Sequence, residues 1–176
     1  KMMSSSKGVV FTLPQWLEIA APELLRYFIF RSKPMKAKEF DPGLALLDLY
    51  DEFDLMEQVN FGTVKVSERK KEQLKRVYEL SQPHEVHRKH VQRVPFRFAT
   101  VLSQVMQDEK HAIEVLVSRG ILKSPSESDV KLAIRRLTLA RNWVYKYAPE
   151  RLRFKVAEEL PAEVLRDLTE KQKHGL

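Results

Sequence analysis

The residues best suited to chemistry open the chain, as Lys1-Met2-Met3-Ser4-Ser5-Ser6-Lys7-Gly8. Consecutive hydroxyls and their backbone N–H groups can wrap the oxygens of a polyphosphate, and Lys7 adds a compact positive charge. A Ser/Lys stretch is equally the composition of an unstructured chain end, so the loop alone does not decide between a phosphate site and a tail. Two other groupings could bear chemistry. Asp48, Asp51, Glu52 and Asp54 supply carboxylates of the kind that bind metals or act as acid and base. No histidine or EF-hand spacing accompanies them, and a solvated helix face is expected. His84, His87 and His90 recur every three residues among basic neighbours. Zinc would require a fourth ligand in suitable geometry, and Glu85 produces no recognised spacing, so a basic patch without metal is expected.

The elements that must position these groups are helical. At 176 residues, with 43% hydrophobic and 31% charged residues, the chain can bury a core in one domain or two small ones. No apolar run is long enough to span a bilayer, and no membrane partner is expected. The absence of cysteine excludes disulfides and thiolate metal sites, and a cytosolic setting fits. The net charge of +7 is uneven: seven Lys/Arg face nine Asp/Glu over residues 1–60, ten face four over 61–100, and fourteen face eleven over 101–176. A basic middle after an acidic start suggests an anionic partner met by one region, with a salt-bridged surface as the alternative.

Along the chain, Val9-Val10-Phe11 suits a short strand. Thr12 and Gln15 have capping-box spacing, with Pro14 in the first turn and Trp16, Leu17 and Ile19 as apolar anchors. Pro22 opens a helix to about Arg31, with Leu24, Leu25, Phe28 and Ile29 as its stripe, and Lys33-Pro34 ends it. Leu46, Leu49, Tyr50, Phe53 and Met56 line one face of a helix over 44–60, which the acids decorate. The Phe61–Val66 stretch reads as an extended link and the domain boundary. A polar surface helix from Ser67 to Ser81 carries Glu72–Arg76 and Lys75–Glu79 pairs. Phe98, Val101, Leu102, Val105 and Met106 form the clearest helical stripe. Asp108 caps a helix bearing Ile113, Leu116 and Val117, which Gly120 stops. A long helix after Ser124-Pro125 turns Val130, Ile134, Leu137, Val144 and Tyr147 inward, with Lys131, Arg135, Asn142, Tyr145 and Lys146 on another face. Pro149 ends it, and Pro161 begins one more helix, packed by Val164, Leu165 and Leu168. The fold class is therefore mostly α, a bundle of short packed helices with at most one or two very short strands.

The opening loop resembles the KMSKS-type signature of class I aminoacyl-tRNA synthetases, in the MSSSKG form of the class I lysyl enzymes of archaeal and bacterial type. Ala21-Pro22-Glu23-Leu24-Leu25-Arg26-Tyr27, Leu49-Tyr50-Asp51-Glu52-Phe53-Asp54, Val94-Pro95-Phe96-Arg97 and Trp143-Val144-Tyr145-Lys146-Tyr147-Ala148-Pro149-Glu150 are similar to that family's next landmarks. The resemblance runs from Met3 to about Val156. Met2 stands between Lys1 and Met3 where the family has lysine directly before methionine, so the carry-over is made for Met3, Ser4, Ser5, Ser6 and Lys7 but not for Lys1.

The resemblance implies a carboxyl-side fragment. Residues 1–60 would be the signature loop with a connecting helical (stem-contact) module. Residues 61–176 would be an α-helix-cage anticodon-binding region cut short at its C-terminus, with the catalytic nucleotide-binding domain upstream. In the whole enzyme, ATP with magnesium and lysine would form lysyl-adenylate, and the lysyl group would pass to tRNA, with Lys7 acting on the departing pyrophosphate. The fragment alone is expected to bind no cofactor and to be inactive. Its expected partner is tRNA, of the lysine type, met by Arg88, Lys89, Arg93 and Arg97, because Glu85 is the only acid from 83 to 98. Lys131 and Arg135 on the late helix are the other candidates. Another class I synthetase, such as the glutamyl enzyme, and a non-catalytic helical interaction module are the alternatives.

Overall fold

The structure is a computed structural model that describes residues 11–31, 40–82, 91–106 and 108–154. Seven α-helices and no strand occur among the described residues: α1 Leu13–Ile19, α2 Pro22–Phe30, α3 Leu44–Asn60, α4 Glu68–Ser81, α5 Phe96–Val105, α6 Glu109–Ser118 and α7 Glu127–Lys146. A 3₁₀ turn at Glu150–Leu152 follows. Val9 and Val10 of the expected strand, Lys33-Pro34 and the helix expected from Pro161 lie outside the described residues, and Phe11 is not in a strand.

Local chemistry sets most helix ends. The Thr12 side chain accepts from the Gln15 N–H while the Gln15 side chain accepts from the Thr12 N–H, which is the capping box read from the spacing. Ser126 and Asp129 repeat that exchange at the start of α7. Asp108 caps α6 through the His111 N–H at 2.9 Å. At the other end of α6 the Gly120 N–H reaches the Val117 carbonyl and the Ile121 N–H reaches that of Leu116. This Schellman arrangement needs the left-handed backbone of Gly120, at φ +71°.

The helices share one apolar core that runs from Trp16 through Leu46, Phe53, Tyr78, Phe96 and Leu116 to Ala148. Tyr50 and Phe96 stack at 3.7 Å with an interplanar angle of 10°, and Trp143 meets Phe96 edge-on at 6.4 Å. The polar tips of these large rings are satisfied inside the core. Trp143 Nε1 donates to the Pro42 carbonyl at 2.7 Å, Trp16 Nε1 to that of Ala21 at 3.2 Å, and the Tyr50 hydroxyl to that of Ile19 at 3.2 Å.

Several inward faces differ from those read by periodicity. In α5 the buried residues are Phe96, Ala99, Thr100, Leu102 and Ser103, whereas Val101 and Val105 are 49% and 43% exposed. Small side chains let α5 lie closely along α7, and that fit outweighs the larger apolar area of two valines. Leu17, Ile29 and Val117 are likewise exposed, while Tyr27, Ala112 and, on α7, Ala133, Leu139, Ala140 and Trp143 face inward. In α4 the charged pairs are Glu68–Lys71 and Arg76–Glu79, three residues apart rather than four.

Candidate nucleic-acid interface

The acidic face of α3, expected to be solvated, is where the fold gathers its arginines. Glu57, 1% exposed, accepts from Arg93 Nε at 2.9 Å and Nη2 at 3.2 Å, and from the Tyr78 hydroxyl at 3.1 Å. Asp54 accepts from Arg136 Nη2 at 2.7 Å, and the Arg136 guanidinium sits 4.9 Å from the Tyr50 ring centre. Arg97 reaches Asp51 and Asp48, and Arg31 reaches Glu52. For Arg93–Glu57 and Arg136–Asp54 the cause is the cost of burying an unpaired charge, whereas the Arg97 and Arg31 pairs lie at the exposed edge of the same face.

The titration behaviour follows from that burial. Burial pulls the Arg93 guanidinium toward deprotonation, but hydrogen bonding and charge from Glu57, with Glu23 and Asp54 behind, more than reverse it and raise its pKa. Burial holds the Asp54 carboxyl above its ordinary range against the opposing pull of Arg136. The Tyr78 phenol is raised by burial and then by the Glu57 charge, and the Tyr50 phenol by burial against Arg136.

The sequence-derived contact residues fall only partly among the described residues. Met3, Ser4, Ser5, Ser6 and Lys7 of the phosphate loop, together with Arg88, Lys89 and the three histidines, lie outside the described residues. Arg93 lies in the extended stretch before α5, whereas Arg97 is inside it, because helix begins only after Pro95. The two do not form one basic face: Arg93 turns to Glu57 and Arg97 to Asp48 and Asp51. Counting acids between 83 and 98 missed this neutralisation, since the partners stand on α3. Lys131 pairs with Glu127 at 2.6 Å, both ends mostly exposed, an interaction of small worth. Arg135 is exposed, has no ion-pair partner among the described residues, and lines a small cleft with Arg93, Arg136 and Glu23. Among the described residues no group of three or more His, Asp or Glu is placed to hold a metal ion.

The sequence reading puts Tyr145 on an outer face of the late helix but does not bring it together with Arg141, Arg153 and Phe154. Arg141 and Tyr145 of α7, with Arg153 and Phe154 beyond the 3₁₀ turn, line an open groove against Ser103 and Gln104 of α5. The available signal was Tyr145 itself, an aromatic side chain on an otherwise polar helix face.

Over residues 1–84 the chain matches the family model described as tRNA synthetases class I (K). It is similar to the lysine–tRNA ligase of Pyrococcus horikoshii, at 43% identity over 171 residues, 96% of this chain and 32% of that protein. The lysine–tRNA ligase of Pyrococcus furiosus is 41% identical over 88% of the chain and 29% of its own length. That of Borreliella burgdorferi is 32% identical over 86% and 28%. The chain thus spans about a third of the length of the curated relatives it matches. No helix among the described residues is long and apolar enough to cross a membrane.

Proposed function

We propose that this chain, which belongs to the class I tRNA synthetases of the lysine type, is the tRNA-engaging portion of a lysine–tRNA ligase and carries that enzyme's phosphate loop. The observation that carries this reading is the 43% identity sustained over 96% of the chain. The parent reaction is attack of the lysine carboxylate on the α-phosphate of ATP, releasing pyrophosphate and forming lysyl-adenylate. Attack by the tRNA 3′-terminal ribose hydroxyl then releases AMP. Ser4, Ser5, Ser6 and Lys7 would hold the phosphates, and Lys7 would meet the charge that develops on the leaving pyrophosphate. Replacing Lys7 by Ala in the full-length ligase should lower the adenylation rate by about 10²–10³-fold, on the scale of one missing oxyanion donor.

On this reading residues 1–60 join the phosphate loop to the helices, and residues 61–176 meet tRNA. Arg88, Lys89, Lys131 and Arg135 are assigned to its phosphates. Arg93, facing the buried Glu57, is assigned to holding the segment before α5 on α3, and Arg97, facing the exposed Asp48 and Asp51, to a weaker contact of the same kind. Titrating a lysine tRNA transcript against the chain at several salt concentrations tests the reading. Binding should weaken steeply with salt. An Arg88→Ala, Lys89→Ala, Arg135→Ala variant should flatten the dependence by about 0.7–0.9 log units for each phosphate no longer neutralised. Failure of the wild-type chain to bind the transcript at low salt would refute tRNA engagement by this portion.

A further inference from the structure

We infer that the groove between α5, α7 and the Arg153–Phe154 segment is a docking site for unpaired nucleotides of RNA, with Tyr145 as its stacking platform. The inference deepens the tRNA reading, on which it rests, by assigning a place and a mode of binding. Tyr145 is 80% exposed, although a phenol ring gains by burial, and Phe154 is 44% exposed across the groove. Arg141 and Arg153 stand with them, and among the described residues no Asp or Glu lines the groove.

The floor is built rather than incidental. The Gln104 amide donates to the Leu152 carbonyl at 3.0 Å while its oxygen accepts from the Phe154 N–H at 3.0 Å, so one side chain holds the backbone of the far wall as a β-partner would. Arg153 Nε donates to the Ala148 carbonyl at 2.8 Å, and Arg141 Nη2 to that of Met106 at 3.2 Å. A carbonyl oxygen carries no net charge. The Arg153 head group is therefore oriented while its full positive charge is kept, in contrast to Arg93 and Arg97, whose charges are cancelled by carboxylates.

Exposed rings beside oriented guanidinium planes are what unstacked bases and their phosphates require. The rings offer π-faces to the bases, and the cations meet the backbone. A duplex hides its base faces in its own stack and would gain only the charge.

The test uses the chain itself with three fluorescent probes: a lysine tRNA transcript, a short single-stranded RNA, and an acidic peptide of equal charge. The Tyr145→Ala variant should bind the single strand about 5- to 150-fold more weakly, the cost of removing one stacked base. Tyr145→Phe keeps the ring and should bind as wild type does. Arg153→Gln should lower the salt slope for the single strand by about 0.7. Circular dichroism spectra matching wild type would show that the variants are folded, as expected for so exposed a side chain. If Tyr145→Ala binds both RNAs as wild type does, the groove assignment is wrong while the tRNA reading stands. If the single strand binds in a Tyr145-dependent way but the transcript does not bind, the groove assignment stands and the tRNA reading fails. Equal affinity for the acidic peptide, abolished together with RNA binding in Tyr145→Ala, would make the groove a peptide site and overturn the inference.

Discussion

Replacing Arg93 by Met separates a framework role for this residue from a nucleic-acid role. Glu57 is 1% exposed and would keep only the Tyr78 hydroxyl at 3.1 Å once the Arg93 hydrogen bonds at 2.9 and 3.2 Å are gone. Removing one member of a buried pair costs about 3–5 kcal/mol, because the survivor keeps its charge without a counter-charge. Domain stabilities are only about 5–15 kcal/mol, so this is a large share of the whole. With a urea m-value of about 2 kcal/mol/M, the unfolding midpoint should fall by about 1.5–2.5 M. The double variant Arg93→Met, Glu57→Met removes both charges and should recover much of the loss, since buried ion pairs replaced by apolar groups of similar volume are often neutral in stability. Urea unfolding followed by helical circular dichroism measures both, with tRNA binding measured in parallel under conditions where each protein is folded. A single variant destabilised by less than about 1 kcal/mol, the range of exposed pairs, that nevertheless binds tRNA poorly would refute the reasoning. Arg93 would then be a nucleic-acid contact rather than the counter-charge of Glu57.

Two further outcomes are expected. Gly120→Ala should cost about 1–2 kcal/mol in thermal unfolding, because φ is +71° while a methyl group there would meet no heavy atom within 4 Å, leaving the backbone as the only penalty; an unchanged melting temperature would mean that the turn after α6 is not left-handed. Burial and then the Glu52 carboxylate push the Tyr27 phenol up to about 12, above the value of roughly 10 in the unfolded chain. The stability linked to its neutral form is thus complete below pH 10 and drains as pH rises through 10 toward 12, so Tyr27→Phe should show a shallower alkaline loss of urea midpoint, and identical slopes for the two proteins would remove Tyr27 from that titration.

The features legible in the sequence are those whose physics is local. The Thr12–Gln15 box, the Asp108 cap and the Gly120 stop depend on groups within three or four residues of one another, and each is found where the spacing placed it. The apolar face of α3 was also legible, since Leu46, Leu49, Tyr50, Phe53 and Met56 are large enough to fix which side is buried whatever packs against it. The family was readable from short runs of residues, because those runs are compared directly and need no fold.

Only the tertiary structure decided what the charges do and which faces of α5 and α7 turn inward. Arg93 meets Glu57 across 36 residues, Arg97 meets Asp48 and Asp51 across 49 and 46, and Arg136 meets Asp54 across 82. Charge in a linear stretch cannot reveal a partner that arrives on another helix, and so an acid-poor stretch read as a free basic patch includes two arginines that pair with carboxylates of α3. In α5, periodicity weighs hydrophobic area and chose Val101 and Val105, whereas close approach to α7 depends on small volume and selected Ala99, Thr100 and Ser103. Tyr145 illustrates the same divide in reverse. Its type was visible in the chain, but its exposure beside Phe154 and Arg153 exists only because α7 and the segment after it fold back along α5.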